Sequence, residues 1–192
     1  FRKQIPTGLN FSLSGIPYWN TDIGGFFNWP YHGGAENKAY HELYTRWFQY
    51  GTFLPMQRSH GSGVKKEIYN LGKKGDWVYD SEEKYINLRY ALLPYLYSTG
   101  WQVTDNAGSF LRALFMDFNE DKKVHTISNQ YMFGKAFLVT PVTRNMYVFS
   151  DKEQWKDPYE DFSKTGTQDV YLPKGTKWFD FWTGEALNGG QL

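Results

Sequence analysis

The stretches SLSGIPYWNTDIGGFF (residues 12–27) and TFLPMQRSH (residues 52–60) decide how this chain folds. In the first, a short mixed apolar run leads into Thr-Asp-Ile-Gly-Gly, which reads as a strand ending in a tight glycine loop. The second reads as a short strand bounded by Gly61-Ser62-Gly63. Between them lies a loop rich in Gly, Asn and Pro, NWPYHGGAEN (28–37). Tyr40, Leu43, Tyr44, Trp47 and Phe48 then recur at helical spacing from about Glu36 to Tyr50. Gly51 is placed to stop that helix. Strand, helix and strand, with polar residues delivered into glycine-bearing loops, make a βαβ pattern. In (β/α) barrels the chemistry gathers at the C-terminal ends of the strands. Asp22 and His60 fall there.

Downstream, residues 64–79 read as a loop carrying Trp77 and several lysines. A helix is predicted to start near Asp80, with Glu83 three residues on as a capping-box-like partner. Tyr85, Leu88, Leu92 and Leu96 give it an apolar stripe, and Pro94 should kink it. After Asn106-Ala107-Gly108 the pattern changes to short β-type runs: FLRALFMDF (110–118), FLVTPV (137–142), DVYL (169–172) and WFDFW (178–182). Pro173-Lys174-Gly175-Thr176 signals a turn between the last two. The expected fold class is therefore α/β plus all-β. Residues 1–118 would be the barrel portion and 119–192 a β-sandwich-like domain. Residues 144–168, polar and unperiodic, read as a long insertion or mobile loop.

Composition bounds the function. Among 192 residues, 21 Lys and Arg face 20 Asp and Glu, for a net charge of +1. With no block of charge, the electrostatic footprint of a nucleic-acid partner is missing. No apolar run approaches the ~20 residues of a membrane span. Zero cysteines exclude disulfides, thiolate metal sites and cysteine nucleophiles. Aromatic residues make up 20% of the chain. Rings with a polar tip suit either a mixed core or a ligand that has apolar and polar faces. Sugars are such ligands. Phe1-Arg2-Lys3 at one end and Gly189-Gly190-Gln191-Leu192 at the other read as cuts within a longer chain.

Asp22 stands before two glycines that let backbone and ligand approach closely. It suits a contact to substrate hydroxyls or to a cation, or else it is a turn aspartate bonding its own backbone. Arg58 and His60 alternate along one strand and so share a face. A cation and an imidazole there suit a polyhydroxylated ligand, or a structural pair satisfied by backbone groups. His32, His41 and His125 have no ligand-like spacing, so neither a metal nor another cofactor is expected. Hydrolysis of a glycoside with retention needs two carboxyl groups about 5–5.5 Å apart. No such pair emerges from Asp22, Glu67, Asp76, Asp117, Glu120 and Asp121. The residues alone therefore support part of a sugar site, a non-catalytic carbohydrate-binding module, or a β-rich domain whose motifs are only packing.

GIPYWNTDIGGFF (15–27) resembles a signature of glycoside hydrolase family 31, and LPMQRSHGS (54–62) resembles that family's Arg-x-His segment. RYALLPYLYSTG (89–100) is similar to its arginine- and leucine-rich helix. FLRALFMDF with NQYMFGKAFLVTPV, and VYLPKGTKWFDFWTGEALNGGQ (170–191), resemble the proximal C-terminal domain. The order holds across essentially the whole chain. The resemblance implies the last strands and helices of a (β/α)8 TIM barrel, with residues 15–22 as strand 7 and 53–60 as strand 8. It implies a retaining α-glycoside hydrolase that needs no metal.

The resemblance is nearest to the α-xylosidase branch, which acts on α-xylosides of xyloglucan-type oligosaccharides, with α-glucosidase as the alternative. Both catalytic aspartates are then expected upstream of Phe1, and the chain itself carries the sugar-holding wall. His60 would bond sugar hydroxyls, Arg58 would orient the end of strand 8, Asp22 would brace the site, and Phe26 would offer an aromatic wall on the leaving-group side. The partner is an oligosaccharide, a homo-oligomer is left open, and the function class favours a bacterial periplasmic or extracellular location. The isolated chain should release no p-nitrophenol from an aryl α-xyloside or α-glucoside. Measurable release by rigorously purified chain would overturn that expectation.

Overall fold

The computed structural model describes residues 1–164 and 166–192, with only the backbone of Gln154. Its first element is a helix, α1 (Gln4–Leu13), one element more than the pattern predicts. Ile5 and Leu9 are buried in it, and Ser12 donates to the Leu111 carbonyl at 2.5 Å. Gly8 leaves room for the Trp19 indole: a Cβ there would come within 2.7 Å of the ring. Packing rather than helix propensity therefore makes this helix.

The expected strands at 15–22 and 53–60 are reduced to a single parallel bridge, Asp22 to Arg58. The Ile23 amide donates to the Arg58 carbonyl at 3.1 Å, and the Ser62 amide donates to Phe26 at 2.8 Å. Parallel pairing is stable inside a sheet with neighbours on both sides. Among the described residues no further strand flanks these two segments, and the ladder stops at one rung.

Between them α2 (Lys38–Thr52) follows the predicted stripe, with Tyr40, Tyr44, Trp47 and Phe48 buried. Asn37 caps it, its Oδ1 accepting from the amides of Ala39 and Tyr40 at 2.9 and 3.1 Å. Gly51 does not end the helix, which runs one residue past it. A Cβ there would lie 2.8 Å from Ile23, so the glycine serves close approach. After the short α3 (Ile68–Leu71), α4 (Trp77–Ala91) begins a turn earlier than expected, and Asp76 accepts from the Lys73 amide ahead of it. α5 (Leu93–Asn106) follows after a break, with Pro94 in its first turn.

Beyond α5, β1 (Leu111–Ala113), β2 (Tyr131–Phe133) and β3 (Phe137–Val139) form an antiparallel sheet in that order, with the short α6 (Leu114–Asp117) after β1. A single apolar cluster joins Ile5, Tyr44, Tyr50, Leu96, Leu111 and Tyr131, so helices and sheet share one core. Tyr131 also donates to the Phe53 carbonyl at 2.9 Å. β6 (Lys177–Phe179) and β7 (Ala186–Asn188) close a hairpin after the predicted turn, where Gly175 has a φ of +91°.

Residues 144–164 form a docked hairpin, β4 (Val148–Phe149) with β5 (Tyr159–Glu160). Thr165, within the stretch read as an insertion, lies outside the described residues. The carboxylate of Glu42 in α2 accepts from the amides of Met146, Tyr147 and Val148, at 2.7, 3.1 and 2.8 Å. Glu160 receives Trp77 Nε1 at 2.9 Å and Lys38 Nζ at 3.0 Å. These polar ties are joined by ring contacts, Trp77 meeting Tyr147 and Phe162 edge to face.

Glu82 of α4 is 1% exposed and faces Thr45 of α2, whose hydroxyl donates to it at 3.2 Å. Burial raises its pKa from the ordinary 4.5 to about 8, against the lowering effect of the Thr45 bond. The folded state therefore holds this proton through a pH range in which the unfolded chain has lost it. Stability from this group is complete below 4.5 and is lost as pH rises towards 8. The steepest slope is about 1.4 kcal/mol per pH unit. Urea unfolding of Glu82→Gln across that range should show the slope removed. Identical pH profiles for the two proteins would count against it.

Candidate functional site

The site gathers around the Asp22–Arg58 bridge. Gly24 and Gly25 both have positive φ, +78° and +81°, which side chains other than glycine adopt at a cost. They turn the chain so that Asp22 stays on the bridge while Phe26 is delivered beside His60. A Cβ on Gly24 would fall 2.5 Å from the Tyr44 ring and 2.7 Å from the Tyr40 hydroxyl, so glycine is also required by space.

All four residues singled out in the sequence lie here, in two contacting pairs. Arg58 Nε donates to Asp22 Oδ1 at 3.0 Å, and Arg58 Nη2 pairs with the same oxygen at 2.9 Å as an ion pair. Both contacts fall on one oxygen, so Oδ2 keeps its accepting capacity. The Phe26 and His60 rings meet edge to face, 5.3 Å between centroids. Ser59, between Arg58 and His60, instead meets the Tyr44 hydroxyl at 2.6 Å. Asp22 is thus bonded to a cation rather than opposed to a second carboxyl group. This arrangement can hold a polyhydroxylated ring through an accepting carboxylate, an imidazole and an aromatic wall.

Lys66 completes the site and was not singled out in the sequence. It is 7% exposed, and its ammonium donates to the carbonyls of Ile23 at 3.0 Å, Gly25 at 2.5 Å and His60 at 2.7 Å. Three donors meet three acceptors, and those acceptors belong to both segments of the bridge. Burial lowers its pKa, while the nearby Asp22 charge raises it. The Tyr44 hydroxyl in turn donates to the Lys66 carbonyl at 2.7 Å. At the other end of the second segment, Arg89 donates to the carbonyls of Thr52, Leu54 and Pro55 at 2.7, 2.6 and 2.9 Å. Burial lowers the Arg89 pKa to about 10. Residues 52–60 therefore run between two cations that bind backbone. Among the described residues, no three His, Asp or Glu side chains converge to hold a metal ion, and no helix is long and apolar enough to cross a membrane.

Comparison with known proteins relates this chain to carbohydrate-active enzymes. A family model described as the glycosyl hydrolases family 31 TIM-barrel domain matches residues 1–99, and one described as the glycosyl hydrolase family 31 C-terminal domain matches residues 107–192. The chain is 44% identical to an alpha-xylosidase of Saccharolobus solfataricus, over 100% of this chain and 23% of that protein. It is 30% identical to alpha-glucosidase 2 of Bacillus thermoamyloliquefaciens, over 99% of this chain and 20% of that protein. Among solved structures, the family 31 alpha-xylosidase of Xanthomonas citri superposes with a TM-score of 0.83 at 40% identity, covering 99% of this chain and 19% of that one. The chain thus spans 23% of the length of the first of these alpha-xylosidases and 19% of the second.

Replacing Lys66 with Met should leave three carbonyls without their donor and cost about 2–3 kcal/mol of stability. Hydrogen exchange should then quicken at the Ile23 and Ser62 amides, which bridge the two segments. Unchanged protection at both would deny Lys66 this role.

Proposed function

Because the chain belongs to glycosyl hydrolase family 31, we propose that it supplies the sugar-holding wall of a retaining α-glycosidase, and that the parent enzyme is an α-xylosidase. The observation that carries this reading is the pairing of Asp22 with Arg58 and of Phe26 with His60 on one bridge. Higher identity to a xylosidase than to a glucosidase, 44% against 30%, favours xylose in the cleaved unit. Xyloglucan-type oligosaccharides are the substrate class assigned.

In this mechanism Asp22 Oδ2 accepts from a sugar hydroxyl while Arg58 fixes the carboxylate in direction. His60 bonds a second hydroxyl of the same ring. Such bonds hold the ring in a reactive position and can tighten as positive charge develops at the anomeric carbon. Neither the nucleophile nor the acid/base is assigned to a carboxylate of this chain. Asp22 is engaged by Arg58, which suits it to binding rather than to attack.

The test is a panel of aryl α-glycosides given to the protein that carries this chain. The xyloside should exceed the glucoside in kcat/KM by at least about tenfold, roughly 1.4 kcal/mol of transition-state discrimination. His60→Ala should lower kcat/KM for the preferred substrate by about 100-fold with the circular dichroism spectrum retained. Preference for the glucoside would move the assignment to α-glucosidase. Undiminished turnover in His60→Ala would return that residue to packing.

A further inference from the structure

The Lys66 ammonium holds three carbonyls, and each belongs to a residue that is, or adjoins, one of the four side chains gathered at the site. Ile23, accepting at 3.0 Å, follows Asp22 in the chain; Gly25, at 2.5 Å, precedes Phe26; and His60 itself accepts at 2.7 Å. Arg58 is tied to the same frame, through its pair with Asp22 and through its carbonyl, which accepts from the Ile23 amide at 3.1 Å. One buried point charge thus meets the ends of both segments at once. An ammonium suits this task because its three donors rotate to meet acceptors in different directions.

The surroundings make room for that cation. A Cβ on Gly61 would lie 2.6 Å from Lys66 Nζ and 2.6 Å from the Phe26 carbonyl. No positive φ calls for glycine at this position, so space is the reason for it. The Lys66 backbone is fixed as well: its carbonyl accepts from the Tyr44 hydroxyl at 2.7 Å, and that hydroxyl also meets Ser59 at 2.6 Å. The Tyr44 ring lies against Gly24, where a Cβ would fall 2.5 Å from it. Lys66 and α2 therefore grip the glycine turn and the 58–60 segment from two sides. Both Lys66 and Tyr44 are buried by this chain alone, whatever the whole protein packs around it.

We propose that Lys66 is a positioning residue of the reaction: its ammonium sets the spacing between the Asp22–Phe26 half and the Arg58–His60 half of the site, so that one sugar ring meets both halves together. This rests on the glycosidase reading and adds to it a residue that touches no substrate. Two groups hold a ring better than either alone only when their separation matches the hydroxyls they serve. A misplacement of about 1 Å is enough to lose much of the rate. Lys66 therefore matters only while both halves bind. With one half removed, the ring can follow the other, and the spacing ceases to count.

The test is a double-mutant cycle in the whole enzyme, read as kcat/KM for p-nitrophenyl α-D-xyloside. Lys66→Met should lower this value by about 30-fold in the wild-type background, and by less than about threefold in the His60→Ala background. Gly61→Ala, which crowds the ammonium without removing it, should lower it by about tenfold with the same dependence on His60. It carries the test where Lys66→Met yields no folded enzyme. A purely structural role predicts equal losses in the two backgrounds, and that result would overturn the proposal. Calorimetric titration with D-xylose and D-glucose separates this proposal from the glycosidase reading. If the wild type cleaves no aryl α-glycoside yet binds one of these sugars with the same non-additivity, the glycosidase reading fails and the positioning role stands. A wild type that neither cleaves nor binds removes both.

Discussion

The Lys66 ammonium, drawn out of water and answered by three carbonyl oxygens, is the constraint on which the candidate site depends. A buried cation is tolerated only when its donors are matched, and here the acceptors come from both sides of a bridge with a single rung. Two extended segments beside which the described residues place no further strand have little to hold their register. The ammonium supplies that register from the side. It fixes backbone at Ile23, Gly25 and His60, which leaves Asp22 to pair with Arg58 and Phe26 to meet the His60 ring. Arg89 does the same for residues 52–55, where the second segment leaves α2.

A second buried charge ties the two halves of the chain. Glu42 is 0% exposed, and its carboxylate accepts three consecutive amides, Met146, Tyr147 and Val148. Breaking such a cluster leaves several polar groups unpaired at once, each at a cost of about 1–3 kcal/mol. The β4–β5 hairpin is therefore anchored where it meets α2, and its tip meets the ring-bearing loop of residues 26–37. Asn37 joins these roles in one side chain. Its Oδ1 caps α2, and its amide nitrogen bridges the loop to the hairpin.

The parts of this architecture that sequence makes legible are those with a period. The α2 stripe of Tyr40, Tyr44, Trp47 and Phe48 is visible because a buried helical face repeats every three or four residues. The α4–α5 break is visible because proline cannot continue a helix. α1 escapes notice because Pro6, Thr7, Gly8 and Asn10 are poor helix formers, and Trp19 and Leu111 rather than local preference stabilise it. The strand reading of residues 15–22 and 53–60 overshoots for the complementary reason, since strand pairing depends on neighbours that local sequence does not contain. Asp22, Arg58, His60 and Phe26 are legible by motif, and the structure brings them together. Lys66 is not, because nothing in Lys65-Lys66-Glu67 distinguishes the buried lysine from its exposed neighbour; only the fold does that.

The division between backbone restraint and free side chains also bears on the exposed rings of this loop. A sugar site must present rings to water while it waits for ligand, and exposed rings in a flexible loop would collapse onto each other or onto the core. Lys66 at one end and Asn37 at the other hold the loop by its carbonyls, while Phe27 and Trp29 stack on each other and stay exposed. The ties combine hydrogen bonds to carbonyls with one ring contact, Tyr31 lying parallel to Trp155, and Phe27 and Trp29 remain outside. Exposure here accompanies a well-bonded backbone, in which the chain's path is set by its carbonyls rather than by burial of its rings.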